Sequence, residues 1–230
     1  MSDAIDHDRH RARLVFWVAL ALSAAAVGTF VALRASVAER DRVVAFDRRT
    51  TEWIVAHRDD VLTVLMRAAT GLGYLWVVWP VLVVVCVLLV RRGRRDLALL
   101  LVLSSVGTTV LVNGAKVVVQ RPRPPVADRL VPAEGWAFPS GHAGQGVALY
   151  LALGLVVWCV ASRCRVRVLG LVAGVVLAVA VGASRVYLGV HWTSDVLGGW
   201  LLALGWLALL VAFAAASRWR ALSATAPRRT

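Results

Sequence analysis

Three short polar clusters interrupt an otherwise apolar sequence, and their residue types could handle an anion. Lys116 and Arg123 close one apolar run, Pro139-Ser140-Gly141-His142 immediately precedes the next, and Ser184-Arg185, His191 and Asp195 lie between the last two. Brought to one point, Lys116, Arg123 and Arg185 would repel one another unless an anion rich in acceptor oxygens, such as phosphate, lay between them. Ser140 can cap the helix that follows it. That leaves the backbone N–H groups of Gly141 and His142 at the positive end of the helix dipole, with no Gly141 side chain to obstruct approach. His191 and Asp195, four residues apart, could share a helix face, the carboxylate holding one imidazole nitrogen and leaving the other as nucleophile or base. His142, at the mouth of the cradle, could give a proton to a leaving oxygen and then take one from water.

Lys116 is distinctive by composition as well, since it is the one lysine among 26 basic residues, and lysine and arginine are not interchangeable where geometry is tight. Arg121 is a further cation beside Arg123, and spacing leaves open which of the two would lie nearer the anion. Taken singly, each cluster has an ordinary reading as a solvated loop, a plain cap or a structural pair. The three in order are what sets the chain apart.

The elements that position these residues are membrane spans. A chain of 230 residues with 60% hydrophobic content and a mean hydropathy of +0.74 is too apolar for an ordinary soluble domain. Its apolar runs, Leu14 to Leu33, 72–90, 97–119, 143–161, 168–183 and 196–216, each approach the ~20 residues needed to cross a bilayer. The predicted fold class is therefore all-α, an integral membrane protein with six transmembrane helices. One domain covers 14–216, between a cytoplasmic N-terminus, 1–13, and a cytoplasmic basic tail, 217–230. The first run follows Arg9, Arg11 and Arg13 and reads either as an uncleaved anchor or as a signal peptide with small residues near Ala35 to Ala38. Between the first two spans, Trp53 to Met66 puts Ile54, Val61, Leu62 and Leu65 near one face, which predicts a helix lying at the interface. Gln120 to His142 contains five of the seven prolines and reads as an ordered loop.

Two spans separate the second and third clusters, so all three emerge on one side of the membrane. Dense arginine clusters beside span ends, at the N-terminus, Arg91 to Arg95, Arg163 to Arg167 and the C-terminal tail, assign the opposite side to the cytoplasm and both termini with it. The site then faces outward. The formal charge of +13 sits largely in such clusters and does not imply nucleic acid. Cys86, Cys159 and Cys164 have neither a disulfide framework nor metal-ligand spacing. His7, His10 and His57 lie outside the clusters, and tryptophans such as Trp76, Trp79, Trp192 and Trp200 suit interface anchoring.

The series K-x6-R-P from Lys116, P-S-G-H ending at His142, and S-R-x5-H-x3-D ending at Asp195 resembles the signature of the type-2 phosphatidic acid phosphatase family. The motifs cover Lys116 to Asp195, and every motif position is matched. The resemblance implies that His191 attacks phosphorus to form a phosphohistidine, that Asp195 supports it and that His142 protonates the leaving group. Lys116, Arg123, Ser140, Gly141 and Arg185 would hold the phosphate, with no metal and no cofactor. The implied partners are membrane lipids and a lipid phosphate substrate. Undecaprenyl diphosphate at the outer face of the cytoplasmic membrane comes first, with phosphatidic acid and phosphatidylglycerol phosphate as alternatives. Vanadium-dependent haloperoxidases share the phosphate-site motif but are soluble, unlike a chain of six apolar spans. A lipid-phosphate transporter, a small-molecule phosphatase and a catalytically silent relative are the remaining readings. The motifs do not encode oligomeric state.

Overall fold

The helices of this chain turn apolar side chains outward as well as inward. Val84, Leu99, Leu169 and Phe213 are each more than half exposed, on helices far too apolar to face water, and lipid is the solvent that accepts them. The computed structural model describes residues 2–39 and 42–224, and the regular elements there are all helical. In chain order they are α1 (Ser2–Ala38), α2 (Arg42–Ala56), α3 (Asp60–Gly71), α4 (Leu75–Arg91) and α5 (Arg95–Val119). After a loop with one 3-10 turn come α6 (Gly141–Gln145), a π-helical stretch (Gly146–Leu151), α7 (Ala152–Val160), α8 (Cys164–Tyr187) and α9 (Thr193–Ala224). Five segments are long and apolar enough to cross a membrane: Asp6–Ala38, Arg95–Val119, Gly141–Val160, Cys164–Tyr187 and Thr193–Ser223. The pair α3 and α4, bent by 52° at its break, makes a sixth if counted as one crossing.

The helices extend beyond the predicted spans at both ends. α1 is helical from Ser2 rather than from Leu14, and α9 continues through Ala224, so that much of the expected tail is helix; residues 225–230 of that tail lie outside the described residues. The two polar ends support each other. Asp8 pairs with Arg218 at 3.6 Å, Arg13 lies 5.9 Å from the Trp219 ring, and deeper in, the Ser23 hydroxyl donates to the Gly205 carbonyl at 2.8 Å. The start of α1 and the end of α9 therefore occupy the same end of the bundle.

The Trp53 to Met66 segment is not one helix. It is divided at His57–Asp59, where Asp59 accepts from the Leu62 N–H at 2.9 Å and caps α3. Ile54 and Leu62 turn inward against Tyr187, Leu188 and Val190, whereas Val61 and Leu65 are exposed. The single apolar face read from spacing separates because the chain breaks within it. Some tryptophans also differ from a purely interfacial role. Trp206 packs on Gly107 and donates to the Leu103 carbonyl, Trp200 packs on Gly182, and the Trp192 indole donates to the Pro122 carbonyl at 3.0 Å. Trp76 remains outward-facing.

The proline-rich loop begins where Gln120 takes the left-handed conformation that closes α5, its N–H donating to the Lys116 carbonyl. It is then tied down along its length. Ala137 N–H bonds the Arg121 carbonyl at 2.8 Å, Leu130 N–H bonds the Leu188 carbonyl at 3.0 Å, and Arg58 reaches the Asp128 and Tyr187 carbonyls. Gly199 of α9 seats the far end of this loop: a Cβ there would come 2.4 Å from the Ser140 carbonyl oxygen. Gly199→Ala should force α9 and Ser140 apart and cost about 1–3 kcal/mol by overpacking, visible as a lower Tm in detergent together with reduced turnover. An unchanged melting curve would mean that the two backbones are free to separate.

Candidate active site

The three clusters converge where α5 and α8 end and α6 and α9 begin. His191 is in the turn between α8 and α9, not on a helix. Its N–H and that of Val190 both reach back to the Arg185 carbonyl at 3.2 Å. Asp195 is in the first turn of α9, so the pair meets through helix-cap geometry rather than a shared helix face. Trp192 N–H donates to Asp195 Oδ2 at 2.9 Å, the half of a capping box in which the third-residue side chain reaches back to the cap N–H, while Asp195 N–H donates to the Trp192 backbone carbonyl at 3.1 Å and closes the first turn. The same carboxylate oxygen lies 3.4 Å from His191 Nδ1.

The other ring nitrogen identifies the tautomer. His191 Nε2 is 3.1 Å from an Arg123 guanidinium nitrogen, which can only donate, so Nε2 carries a lone pair and the proton sits on Nδ1 toward Asp195. His191 is 2% exposed. Burial, then the charges of Arg123, Arg185 and Lys116, hold its pKa well below the usual histidine range and keep the ring neutral. Arg123 is aimed by its surroundings: it donates to the carbonyls of Val190 at 2.7 Å, Glu134 at 2.8 Å and Gly135 at 2.9 Å. Lys116, in the last turn of α5, donates to the carbonyls of Trp136 and Ala137.

Ser140 caps α6 as its position predicts, its hydroxyl oxygen 3.5 Å from the Ala143 N–H and its own N–H donating to the Asp195 carbonyl at 2.8 Å. The first-turn N–H groups of Gly141 and His142 have no acceptor within the helix. His142 stands edge-on to Tyr74 with ring centroids 4.8 Å apart, and its Nε2 is buried without a partner. Gly73 makes this closeness possible, since a Cβ there would meet the His142 ring at 2.7 Å. Arg185 is buried, donates to Thr70 at 2.6 Å and keeps an unpartnered Nε. All eight residues singled out by the sequence are thus at one end of the bundle.

Asp47, Ser194, Thr70 and Tyr74 join them without having been singled out, and Arg121 acquires a definite place. Arg121 donates at 2.7 Å to Asp195 Oδ1, to Asp47 Oδ2 and to the Ser194 hydroxyl, while Ser194 N–H bonds Asp47 Oδ1 at 2.9 Å. Arg121 is therefore the structural cation and Arg123 the one that touches His191. Ser194 adjoins Asp195 and was findable by position. Asp47 lies in a mixed-charge stretch that gives no hint of complete burial, and Thr70 carries no motif. By formal charge, Arg121 with its two carboxylates is one negative unit, against three positive units from Lys116, Arg123 and Arg185. The site is two charges from neutrality, close to the ~2 negative charges of a phosphate monoester.

Two measurements follow from this arrangement. Asp47→Ala leaves Arg121 half unpaired in a dry site and should cost about 3–5 kcal/mol of stability, with Asp47→Asn losing less; equal melting of all three proteins would remove Asp47 from the network. In 15N-histidine NMR, His191 should be neutral and protonated on Nδ1 at about pH 5.5, a unit below the ordinary value. A charged ring at that pH would contradict the tautomer derived above.

Comparison with known proteins agrees with the geometry. A family model described as the PAP2 superfamily matches residues 97–219. Phosphatidylglycerophosphatase B of Bacillus subtilis is 33% identical over 180 residues, covering 76% of this chain and 86% of that protein. An undecaprenyl-diphosphatase of Sulfolobus acidocaldarius is 34% identical over 145 residues, covering 61% of this chain and 63% of that protein. Among solved structures, the transmembrane PAP2 type phosphatidylglycerolphosphate phosphatase from Bacillus subtilis superposes with a TM-score of 0.77 at 27% identity, over 90% of this chain and 98% of that one. Aquifex aeolicus LpxE, at 23% identity and a TM-score of 0.55 over 73% of this chain and 92% of that one, shares the fold. With its motif residues gathered at one end of an all-helical membrane bundle, the chain belongs to the PAP2 superfamily and is a membrane-bound phosphoric ester hydrolase.

Proposed function

We propose that this protein removes a phosphate group from a lipid phosphate or diphosphate at the extracytoplasmic face of the cytoplasmic membrane, without a metal, through a phosphohistidine on His191. The observation that carries the reading is a buried, neutral His191 whose Nε2 lone pair is turned toward Arg123 while Asp195 faces the other nitrogen. The phosphate enters among Lys116, Arg123 and Arg185 and accepts from the Gly141 and His142 N–H groups. Arg123 passes its N–H from Nε2 to a phosphate oxygen, which frees the lone pair to attack phosphorus. As the bond from phosphorus to the leaving oxygen breaks, His142, protonated in the substrate complex, gives that oxygen its proton. Asp195 stabilises the positive charge that develops on His191. His142 then takes a proton from water, water attacks phosphorus, the bond to Nε2 breaks and phosphate departs. The fixed cations act on the charge of the transferring group without reorganising.

The arginine-rich turns Arg91 to Arg95 and Arg163 to Arg167 sit at the helix ends away from the site, and the positive-inside rule puts those turns in the cytoplasm. The two named relatives divide over the lipid. The undecaprenyl-diphosphatase favours a prenyl diphosphate, and phosphatidylglycerophosphatase B, matched over a larger share of both chains, favours a glycerolipid phosphate.

Detergent-purified protein in EDTA should release phosphate from lipid phosphates, His191→Ala should lose the activity by several orders of magnitude, and rapid quenching should trap acid-labile phosphate on the wild type alone. Vanadate, which mimics the trigonal phosphoryl group, should inhibit. Turnover unaffected by excess vanadate, or retained by His191→Ala, would overturn the reading.

A further inference from the structure

The short helix α2 has two faces of different kinds. Its inward face lies against all three polar clusters. Asp47 pairs with Arg121 and accepts from the Ser194 N–H, Val43 packs on the apolar cluster that holds Phe138, and Ile54 packs on those that hold Ala143, Val190 and Val196. Asp47 is fully buried, and Thr51, one turn further on, is buried as well. Asp47 keeps Arg121 between two carboxylates, and Arg121 in turn takes one oxygen of Asp195 and leaves the other to His191. α2 is therefore a strap whose seating sets the orientation of His191.

The outward face carries Arg42, Phe46, Arg49 and Trp53, spaced four, three and four residues apart. All four are exposed, Phe46 at 56% and Trp53 at 64%. Arg49 makes no ion pair among the described residues. The Trp53 ring is stacked on His57, with centroids 4.6 Å apart, which makes it a fixed platform rather than a loose side chain. Aromatic rings beside uncompensated arginines are the composition of a helix lying in the headgroup region of a bilayer. The chain also delivers α2 to that region. Links 39–41 and 57–59 join it to α1 and to the bent pair of α3 and α4, which are membrane elements on either side. α3 continues with Val61, Val64 and Leu65 exposed, side chains that lipid accepts and water does not.

We infer that the outward face of α2 docks on the anionic lipid surface of the leaflet on the site's side, and that this docking holds the inward face on the network of Asp47, Arg121 and Asp195. The inference rests on the reaction proposed above, which gives the orientation of His191 its importance. A surface that binds α2 better when the strap is seated than when it is lifted raises the seated population by that difference in affinity. Each arginine near an anionic leaflet contributes a factor of roughly five. Lifting would deprive Arg121 of Asp47 and disturb the carboxylate that serves His191. Lys116, Arg123 and Arg185 would keep their own partners, the carbonyls of the loop and the Thr70 hydroxyl. Anionic lipid should therefore raise kcat and leave KM nearly unchanged.

Two experiments on the full chain test this. In the first, p-benzoylphenylalanine takes the place of Phe46, and the protein is irradiated in vesicles of phosphatidylcholine with phosphatidylserine. A mass shift from attached lipid is the expected result; attachment to a second copy of the chain, or no attachment, would overturn the docking. In the second, kcat and KM are measured in phosphatidylcholine vesicles with and without phosphatidylserine, a phosphodiester, at a fixed small fraction of a lipid phosphate. Wild-type kcat should rise several-fold with phosphatidylserine, at roughly fivefold per arginine engaged. Arg42→Gln/Arg49→Gln should lose that rise while matching wild type in detergent. A rise that persists in the double variant, or one confined to KM as expected if the arginines merely gather anionic substrate, would overturn the coupling. Phosphate release from no lipid by wild type would overturn the phosphatase reading instead, and the cross-link would still decide the docking.

Discussion

Arg121 is buried at the end of an apolar bundle between Asp47 and Asp195, at 2.7 Å from each. A guanidinium in so dry a position is tolerable only with its charge matched and its fork of N–H groups occupied. Asp47, Asp195 and Ser194 meet that demand together, and in doing so they tie α2 to the start of α9. Asp195 is divided as a result. One oxygen is given to Arg121, and the other is left for the Trp192 N–H and His191. The orientation of His191 therefore depends on a cation that does not touch it.

The remaining cations are arranged on a different principle. Lys116 and Arg123 are held by backbone carbonyls of residues 134–137 and 190 rather than by carboxylates. Carbonyl dipoles orient a cation without neutralising it, and the excess positive charge persists for an incoming anion. Such a device needs a loop that keeps its shape, because any reorganisation when charge develops would weaken it. Five prolines between Gln120 and His142, and the contacts that Arg58, Trp192 and Leu188 make with this loop, serve that rigidity.

The polar interior of α5 extends the same contrast into the membrane. Lys116 stands in the last turn of α5, nearest His191, and further along the helix toward the middle of the span Asn113, Thr109 and Ser105 carry no charge. The order of these groups along α5 is set by its helical repeat.

The sequence by itself determined the class of fold, because apolar runs of bilayer length have few other structures open to them, and it singled out eight residues in three polar clusters that the bundle gathers at one end, because polar and charged groups beside span ends in a fixed order are rarely incidental. It also determined that the clusters share one side, since only two spans lie between them. Only the tertiary structure decided the rest. It separated Arg121 from Arg123, two residues apart in one loop, by pointing one at Asp47 and Asp195 and the other at His191. It moved His191 off the helix that its spacing to Asp195 suggested, because the capping of α9 begins at Trp192. It drew in Asp47 and Thr70 from segments with no motif, and it broke the stretch from Trp53 to Met66 in two. The physical reason is common to these cases: burial, partner choice and chain breaks depend on which surfaces meet across the bundle, and no local pattern of residues encodes those meetings.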